Sequence, residues 1–472
     1  MTGAHRGPRP EPSNGGHSGS RHAAWATEVP APTPQRARLL IPRPRRVDLP
    51  PTNRWQKFAK RPAFFHYHRL AAGIIAINAV LLFYRQDLSF ANDATLVNLT
   101  LAVLIRQRHV INALWTLVRL TPPHWPRWFR RSAGKVYHIG GIHVGGSIAA
   151  VGWFVVLVVQ LTRSATGPGP LPVSLVLAYF VCALLIGICV LALPVVRRNW
   201  HNLFERTHRF GGWLALAMMW AQTVVTSWEL SGGLDWYDLL TAPQLWVLML
   251  VTTSVVLPWL SLRRVPITVS HPSRHAAIVT FHEAWQPFAG STTAFSRSAF
   301  GEWHSFATIA AAPGTTGYRV IVSRAGDWTS RFIDAPPDHV WVRGGSVHGV
   351  GGVDVLANRL LWVVTGSGIG PALSPMFGRP RNKPLALLWV TRDPRKTYGN
   401  ALVDEVLSLV PDALIINTDQ AGKPDVVTLA HRVATDFRAD AVVCVANKKL
   451  TWAVVNELER RGIPTHGAIW DS

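Results

Sequence analysis

"NRLLWVVTGSGIGPALSPM", residues 358–376, decides the fold of the second half of this chain. Its apolar run before Thr365 reads as a strand buried on both faces. The turn Gly366-Ser367-Gly368-Ile369-Gly370 follows, and Pro371 stands where a first helical residue is expected. Glycines let a backbone approach a ligand closely, and a helix start offers unpaired N–H groups and a positive dipole end to a pyrophosphate. Downstream, "LALLWVTRD", "ALIINTD" and "AVVCVAN" repeat the strand texture, with helices expected near 400–410, 425–437 and 449–461. Alternating strands and helices predict an α/β nucleotide-binding domain over 353–472.

Upstream the texture changes. "VPITVS", "AAIVTF", "SFATIAA" and "GYRVIVS" are short alternating strands separated by Pro, Gly and Ser, which predicts a small β-barrel or sandwich over 264–352. Before it come six apolar stretches, near 68–85, 92–111, 136–160, 173–195, 210–229 and 242–262, each close to the roughly 20 residues that cross a bilayer. They define a six-helix membrane domain over 63–263, although Arg106, Arg108 and His109 interrupt the second stretch. The composition agrees: 48% of the 472 residues are hydrophobic, only 16% are charged, and 21 are tryptophan.

A formal charge of +22 raises the question of nucleic acid, and the positions of the charges answer it. Arg119, Arg127, Arg130, Arg131 and Lys135 follow the second stretch, Arg197, Arg198, Arg206 and Arg209 the fourth, and Arg263 and Arg264 the sixth. The alternate loops carry mainly Arg85, Asp87, Asp93, Arg163, Glu229, Asp235 and Asp238. By the positive-inside rule both termini and the C-terminal half are cytoplasmic, which predicts an integral protein, of the plasma membrane. Residues 1–62 read as a basic disordered tail; residues 1–69 hold 13 Lys and Arg against 3 Asp and Glu, and no nucleic-acid module follows. Membrane lipid, not nucleic acid, is therefore the expected partner of this charge. Cys182, Cys189 and Cys444 form neither a disulfide framework nor a zinc spacing.

A multi-pass helical domain followed by a barrel and such an α/β domain resembles the ferredoxin-reductase-type halves of ferric reductases and NADPH oxidases. "FERTHRFGGW", "GEWHSFATI", "SRAGDWT", "TGSGIGP" and "TRDPRKTYG" look most like TmpA-type membrane flavoproteins, over roughly residues 55–472. The resemblance implies FAD and NAD(P)H as cofactors. It implies that His304, Phe306 and Thr308 line the flavin, and that Arg324, Gly326, Trp328 and Thr329 serve its pyrophosphate. Gly366, Gly368, Gly370 and Pro371 match the nicotinamide-nucleotide turn. Arg392, Arg395, Lys396 and Lys423 stand where a 2′-phosphate or adenosine ribose needs cations, and Trp470 matches a terminal aromatic that covers the flavin. One departure is Ala446-Asn447 in place of a Cys-Gly-Pro segment beside the nicotinamide, with Cys444 two residues away.

The resemblance also implies haems held by two histidines on each of two helices, roughly thirteen or fourteen residues apart, about 20 Å along a helix. Here those positions are Val151 and Gly152 after His138, Val156 and Leu157 after His143, and Ala221 and Gln222 after His208. At most one haem remains, between His143 and His208 at the inner leaflet. The small residues of "GGIHVGG", 140–146, equally suit close helix contact. The expected activity is hydride transfer from NAD(P)H to FAD, with electrons passed to an unidentified acceptor near the inner membrane face. The alternatives are a haem-containing transmembrane ferric or oxygen reductase and a nucleotide-binding membrane sensor with weakened turnover.

Overall fold

The computed structural model describes residues 49–59, 64–122, 124–165, 169–311, 316–380 and 382–467. The basic tail up to residue 48 and Trp470 lie outside the described residues.

Eight short strands form one antiparallel sheet: β1 (Arg263–Ser270), β2 (Ala276–Phe281), β3 (Ser291–Ser296), β4 (His304–Ala307), β5 (Ile309–Ala310), β6 (Tyr318–Ser323), β7 (His339–Val342) and β8 (Val347–His348). The order is β4-β3-β7-β1-β2-β6-β5, with β8 on β3. The two ends of this path, β4 and β5, are joined through the single residue Thr308, so the sheet must curl until its edges meet. Alternate side chains fill the interior, Val265, Val279, Phe281, Phe295, Tyr318 and Val320 among them. The helix Asp327–Asp334 adds Trp328 and Phe332 to that core.

The second sheet is parallel: β9 (Leu360–Thr365), β10 (Leu385–Thr391), β11 (Leu414–Asn417), β12 (Ala441–Val445) and β13 (Thr465–Gly467), in the order β11-β10-β9-β12-β13. Helices Ile369–Gly378 and Asn400–Leu409 share one apolar cluster with Trp362, Val364 and Trp389, while Val426–Asp436 and Lys448–Arg460 share another with Leu361, Val363 and Leu388. Burial on both faces explains the unbroken apolar strands. The chain steps from β9 out to β11, then returns to the other side of β9, so the crevice beside the β9 and β12 tips is the topological switch point where such sheets take ligands. Pro371 is the third residue of its helix, not the first; an imino nitrogen is tolerated there because first-turn N–H groups have no partner in the helix.

The helical part departs from six equal spans. Among the described residues four helices are long and apolar enough to cross a membrane: His66–Tyr84, Gly140–Ser164, Val173–Leu191 and Pro243–Leu260. Leu88–Leu104 and Arg108–Arg119 qualify only as a pair, bent by 72°, because Gln107 starts the new helix by accepting the His109 N–H. Gly212–Ser231 spans 20 residues but falls outside that set; Gln222, Glu229 and several Thr and Ser dilute it. Close packing explains "GGIHVGG". A Cβ on Gly141 would strike the Tyr67 carbonyl, and one on Gly145 would sit 2.8 Å from the Ala71 carbonyl. The central helix is thereby pressed against His66–Tyr84, as small residues allow. Asn78 and Asn98 exchange amide hydrogen bonds, and Trp153 donates to Asn78, so these polar groups satisfy each other.

Several charges of the 119–135 segment, which folds into the short helix Arg127–Ala133 and the 3-10 turn Gly134–His138, hold the helical part and the sheets together. Arg130 donates to Asp440 and to the Leu356 carbonyl, Arg131 to Glu459, and Lys135 to Glu459 and the Thr465 carbonyl. Arg130 and Lys135 are buried. Read as loop charges that set orientation, they turn out to be ion-pair partners of the α/β domain. Above them, Asn112 donates to the Ser346 carbonyl and accepts the His348 N–H, and Trp115 lies against Gly352.

Candidate functional site

β4 carries the first part of the site. Strand alternation puts His304 and Phe306 on one face, where the His304 ring lies 4.3 Å and the Phe306 ring 6.1 Å from Trp328. The Nε2 of His304 is buried without a hydrogen bond, 3.9 Å from a Glu302 oxygen. Burial pushes this imidazole below its ordinary value against the pull of Glu205 and Glu302, so it is neutral at pH 7. An aromatic face next to a buried nitrogen without a hydrogen bond suits a planar ligand that carries a polar edge.

Three expected flavin contacts are already committed. Thr308 is fully buried where the barrel closes, and its hydroxyl is bonded to the Ser291 hydroxyl and carbonyl, so it is a closure residue and not an open donor. Arg324 forms two hydrogen bonds to Asp334, at 2.9 and 2.5 Å, and one to the Arg274 carbonyl. Its guanidinium fastens the helix Asp327–Asp334 to β6. Thr329 uses its hydroxyl to accept the N–H groups of Ala325 and Gly326. Gly326 itself has no side chain to cap the helix and nothing within 4 Å of where a Cβ would stand. The open space at Gly326, beside the first turn of this eight-residue helix, suits the approach of a pyrophosphate. The residues present fit a flavin nucleotide through His304, Phe306, Trp328 and the helix start at Gly326.

The glycine turn sits at the switch point. Gly366 has φ +52°, and Trp389 pins its carbonyl through an indole hydrogen bond of 3.0 Å. Tyr398, buried behind the turn, approaches the position of a Gly366 Cβ to 3.4 Å. A Cβ on Gly368 would collide with the Val445 carbonyl, so the β9 and β12 tips touch there. Gly370 serves differently: its open side faces Ile321 and Ile309 of the barrel, at 3.7 and 3.9 Å. Sequence motifs marked the three glycines but not Trp389 or Tyr398, although "TRDPRKTYG" contains the tyrosine.

Around the same edge of the sheet, Arg392, Lys396 and Lys423 are exposed and carry no ion pair among the described residues, whereas Arg395 is tied to Asp404 at 2.7 Å. At the β12 tip, Asn447 caps the next helix by accepting the Leu450 N–H. Cys444 is fully buried in the sheet, where burial pushes its thiol up to about 12. No thiol stands at the tip.

His143 and His208 do come together. Their ring centroids are 6.2 Å apart with planes at 83°, and His143 Nδ1 donates to the Ala102 carbonyl at 2.8 Å. His138 is elsewhere, stacked on His66 at 6.1 Å. Among the described residues no group of three or more His, Cys, Asp or Glu is placed to hold a metal ion. Two imidazoles suffice for haem iron, so the pair fits that group by number alone.

Residues 350–472 match the family model described as the C-terminal domain of adenylate-forming reductase 03009. The chain is 38% identical over 417 residues to adenylate-forming reductase 03009 of Coprinopsis cinerea, covering 87% of this chain and 40% of that protein. Adenylate-forming reductase 06235 of the same fungus is also 38% identical, over 414 residues, 86% of this chain and 40% of its own length. Among solved structures, a ferredoxin NADP+ reductase from Neisseria gonorrhoeae with bound FAD and NADP is 15% identical, with a TM-score of 0.37, over 44% of this chain and 99% of its own. Phthalate dioxygenase reductase is 18% identical, with a TM-score of 0.35, over 44% of this chain and 67% of its own. The chain thus spans about 40% of the length of the adenylate-forming reductases it is similar to.

Proposed function

We propose that the protein is a membrane-embedded flavin oxidoreductase that takes hydride from NADPH onto FAD and passes electrons to an acceptor at the inner membrane face. The observation that carries this reading is the junction of the two sheets: a Cβ on Gly370, in the helix that follows the glycine turn, would stand 3.7 Å from Ile321 of β6 and 3.9 Å from Ile309 of β5, so the residues read for the two nucleotides flank one junction. FAD, when bound, supplies the step from two-electron hydride chemistry to electron transfer. The chain's own residues bind and orient: His304, Phe306 and Trp328 offer the ring face, Gly326 the pyrophosphate end, and Gly366 and Gly368 the approach of the dinucleotide. The unpaired Arg392, Lys396 and Lys423 favour a 2′-phosphate and hence NADPH. The relatives' name, reductase, supports the reductive direction.

Four apolar helices, outward-facing side chains such as Phe83 and Phe180, and the resemblance to TmpA-type flavoproteins support membrane insertion. The ion pairs of Arg130, Arg131 and Lys135 keep the 119–135 loop on the same side as the sheets, which supports a cytoplasmic catalytic half. The test is one absorption spectrum of purified protein before and after NADPH. Flavin bands that bleach support the reading; a preparation with no flavin after reconstitution with FAD refutes it.

A second reading, a nucleotide-binding sensor without turnover, is favoured by one feature. The β12 tip presents a helix-capping Asn447 where a reactive thiol is expected, and Cys444 is sealed in the sheet. Bound FAD that stays oxidised under NADPH in stopped flow would favour the sensor.

A further inference from the structure

We propose that Arg343, held between Trp259 and Trp303 where the barrel meets the last apolar helix, binds the phosphate of an anionic phospholipid and so fastens the barrel to the bilayer beside β4. This rests on the membrane reading above and adds the class of lipid and the residue that selects it.

Trp259 is the last but one residue of Pro243–Leu260, a helix long and apolar enough to cross a membrane. A tryptophan at the end of such a helix sits at headgroup level. The rings around it mark the same level on neighbouring elements. Trp213, at the start of Gly212–Ser231, lies 5.5 Å away, and Phe300, in the barrel loop between β3 and β4, stacks on Trp259 at 5.9 Å. Phe300 is 71% exposed and Leu260 76%, so apolar surface flanks Trp259 on the barrel as well as on the helix. An exposed phenylalanine at that height suits insertion among lipid headgroups.

Arg343 follows β7, and its guanidinium lies 4.5 Å from the Trp303 ring and 5.1 Å from the Trp259 ring. Stacking fixes an arginine without consuming its N–H donors, and a guanidinium so held presents them to an oxyanion. Among the described residues Arg343 has no ion pair and no side-chain hydrogen bond. Its charged neighbours are Arg209 and Glu205, and Glu205 is already bonded to Arg209 at 2.7 Å. A phospholipid supplies what is missing: its phosphate accepts from the guanidinium, and its acyl chains lie against Phe300 and Leu260. The headgroup has to be anionic, because a zwitterionic one brings a cation of its own toward Arg343 and Arg209. Such lipids are concentrated in the cytoplasmic leaflet. The contact reaches the candidate flavin face directly. Arg209 ties the same loop through the Gly301 carbonyl at 2.7 Å, and Trp303 immediately precedes His304 at the start of β4.

The test uses the full chain, purified in neutral detergent, stripped of lipid and titrated with phosphatidylglycerol or phosphatidylcholine while bound lipid is counted by native mass spectrometry. Phosphatidylglycerol is expected to bind the tighter. Arg343→Gln should weaken it about fivefold, the loss of one cation at a membrane surface, and leave phosphatidylcholine binding at the parent level. Phe300→Ser, at an exposed position, should weaken both lipids. Arg198→Gln, which removes an exposed arginine of the preceding positive loop, should weaken phosphatidylglycerol far less. An equal loss in Arg198→Gln overturns the proposal, because the preference is then spread over the surface charge. Displacement of phosphatidylglycerol by inorganic phosphate also overturns it, by assigning the site to a soluble anion. So does parent-like lipid binding by Arg343→Gln, or by Phe300→Ser, which decides the matter if the arginine variant does not fold. If alkaline carbonate releases the chain from membranes, the membrane reading falls and this one with it; a chain that stays in the membrane and binds both lipids alike removes this one alone.

Discussion

Arg130 and Asp440 are 310 residues apart in sequence and meet at 2.7 Å between side chains that are 10% and 7% exposed. Asp440 also accepts the Asn358 N–H and lies 3.4 Å from Arg127. Burial alone would raise this carboxyl; the hydrogen bonds from Arg130 and Asn358 and the two guanidinium charges hold it below the usual carboxylate range instead. Arg130→Met leaves a buried, partly compensated carboxylate, at a cost of about 3 kcal/mol. The expected result is a lower unfolding midpoint of the detergent-solubilised protein, largely recovered when Asp440→Asn is added. A double variant no more stable than the single would show that the pair is not the contact that matters.

The α/β half was legible in the sequence, and the docking was not. A both-faces-buried strand and a glycine turn are local patterns, so the turn of Gly366 and Gly368 could be found from spacing. A loop containing Arg127, Arg130, Arg131 and Lys135 reads the same whether its charges face water or a carboxylate hundreds of residues away. Motif position likewise brings Thr308, Arg324 and Thr329 near a flavin site without telling whether their donors are already spent on Ser291, Asp334 and Gly326. The helix break at Arg106 had a visible signal, since Arg106, Arg108 and His109 interrupt the apolar stretch, but the 72° bend that results there had none.

His348 links the helical part to the barrel, between Phe288 at 4.1 Å and Trp115 at 5.7 Å, and its Nδ1 has no partner. Burial, helped by the Arg119 charge, lowers it from 6.5 to about 4. The folded pKa is below the unfolded one, so between those values the unfolded chain binds more protons and stability falls as pH falls. From pH 7.5 to 5 this residue should remove on the order of 2 kcal/mol. His348→Phe should flatten the fall in unfolding midpoint over that range; an unchanged slope would place the pH sensitivity elsewhere.

His304 and Trp328 are expected to carry flavin stacking. His304→Ala removes one face of the contact, worth ~0.5–1.5 kcal/mol, so FAD should bind about two- to tenfold more weakly. Flavin fluorescence on titration reads the change directly. Thr308→Val, by contrast, should damage folding more than flavin affinity, since it breaks the closure bonds to Ser291. Equal losses of affinity in both variants, with folding intact, would reinstate Thr308 as a flavin contact.

The three glycines of the turn should separate by function. Gly368→Ala forces the β9 and β12 tips apart and should raise the KM for NADPH, with strain of about 1–3 kcal/mol, or roughly five- to a hundredfold. Gly370→Ala meets only ordinary contacts with Ile321 and Ile309 and should be close to neutral for the nucleotide. A Gly370→Ala defect as large as that of Gly368→Ala would mean that the dinucleotide runs along the barrel side of the helix.

Cofactor preference should follow which cations are free. Arg395 already holds Asp404 at 2.7 Å, while Arg392 and Lys423 carry no ion pair among the described residues. A 2′-phosphate gains most from unpaired cations, because it need not displace a carboxylate to reach them. Arg392→Ala with Lys423→Ala should therefore lower kcat/KM for NADPH by about tenfold or more and leave NADH nearly unchanged, since NADH has no charge at that position. Arg395→Ala should shift the ratio far less. If Arg395→Ala alone abolishes the preference, the Asp404 pair opens on binding and the phosphate recruits Arg395 after all.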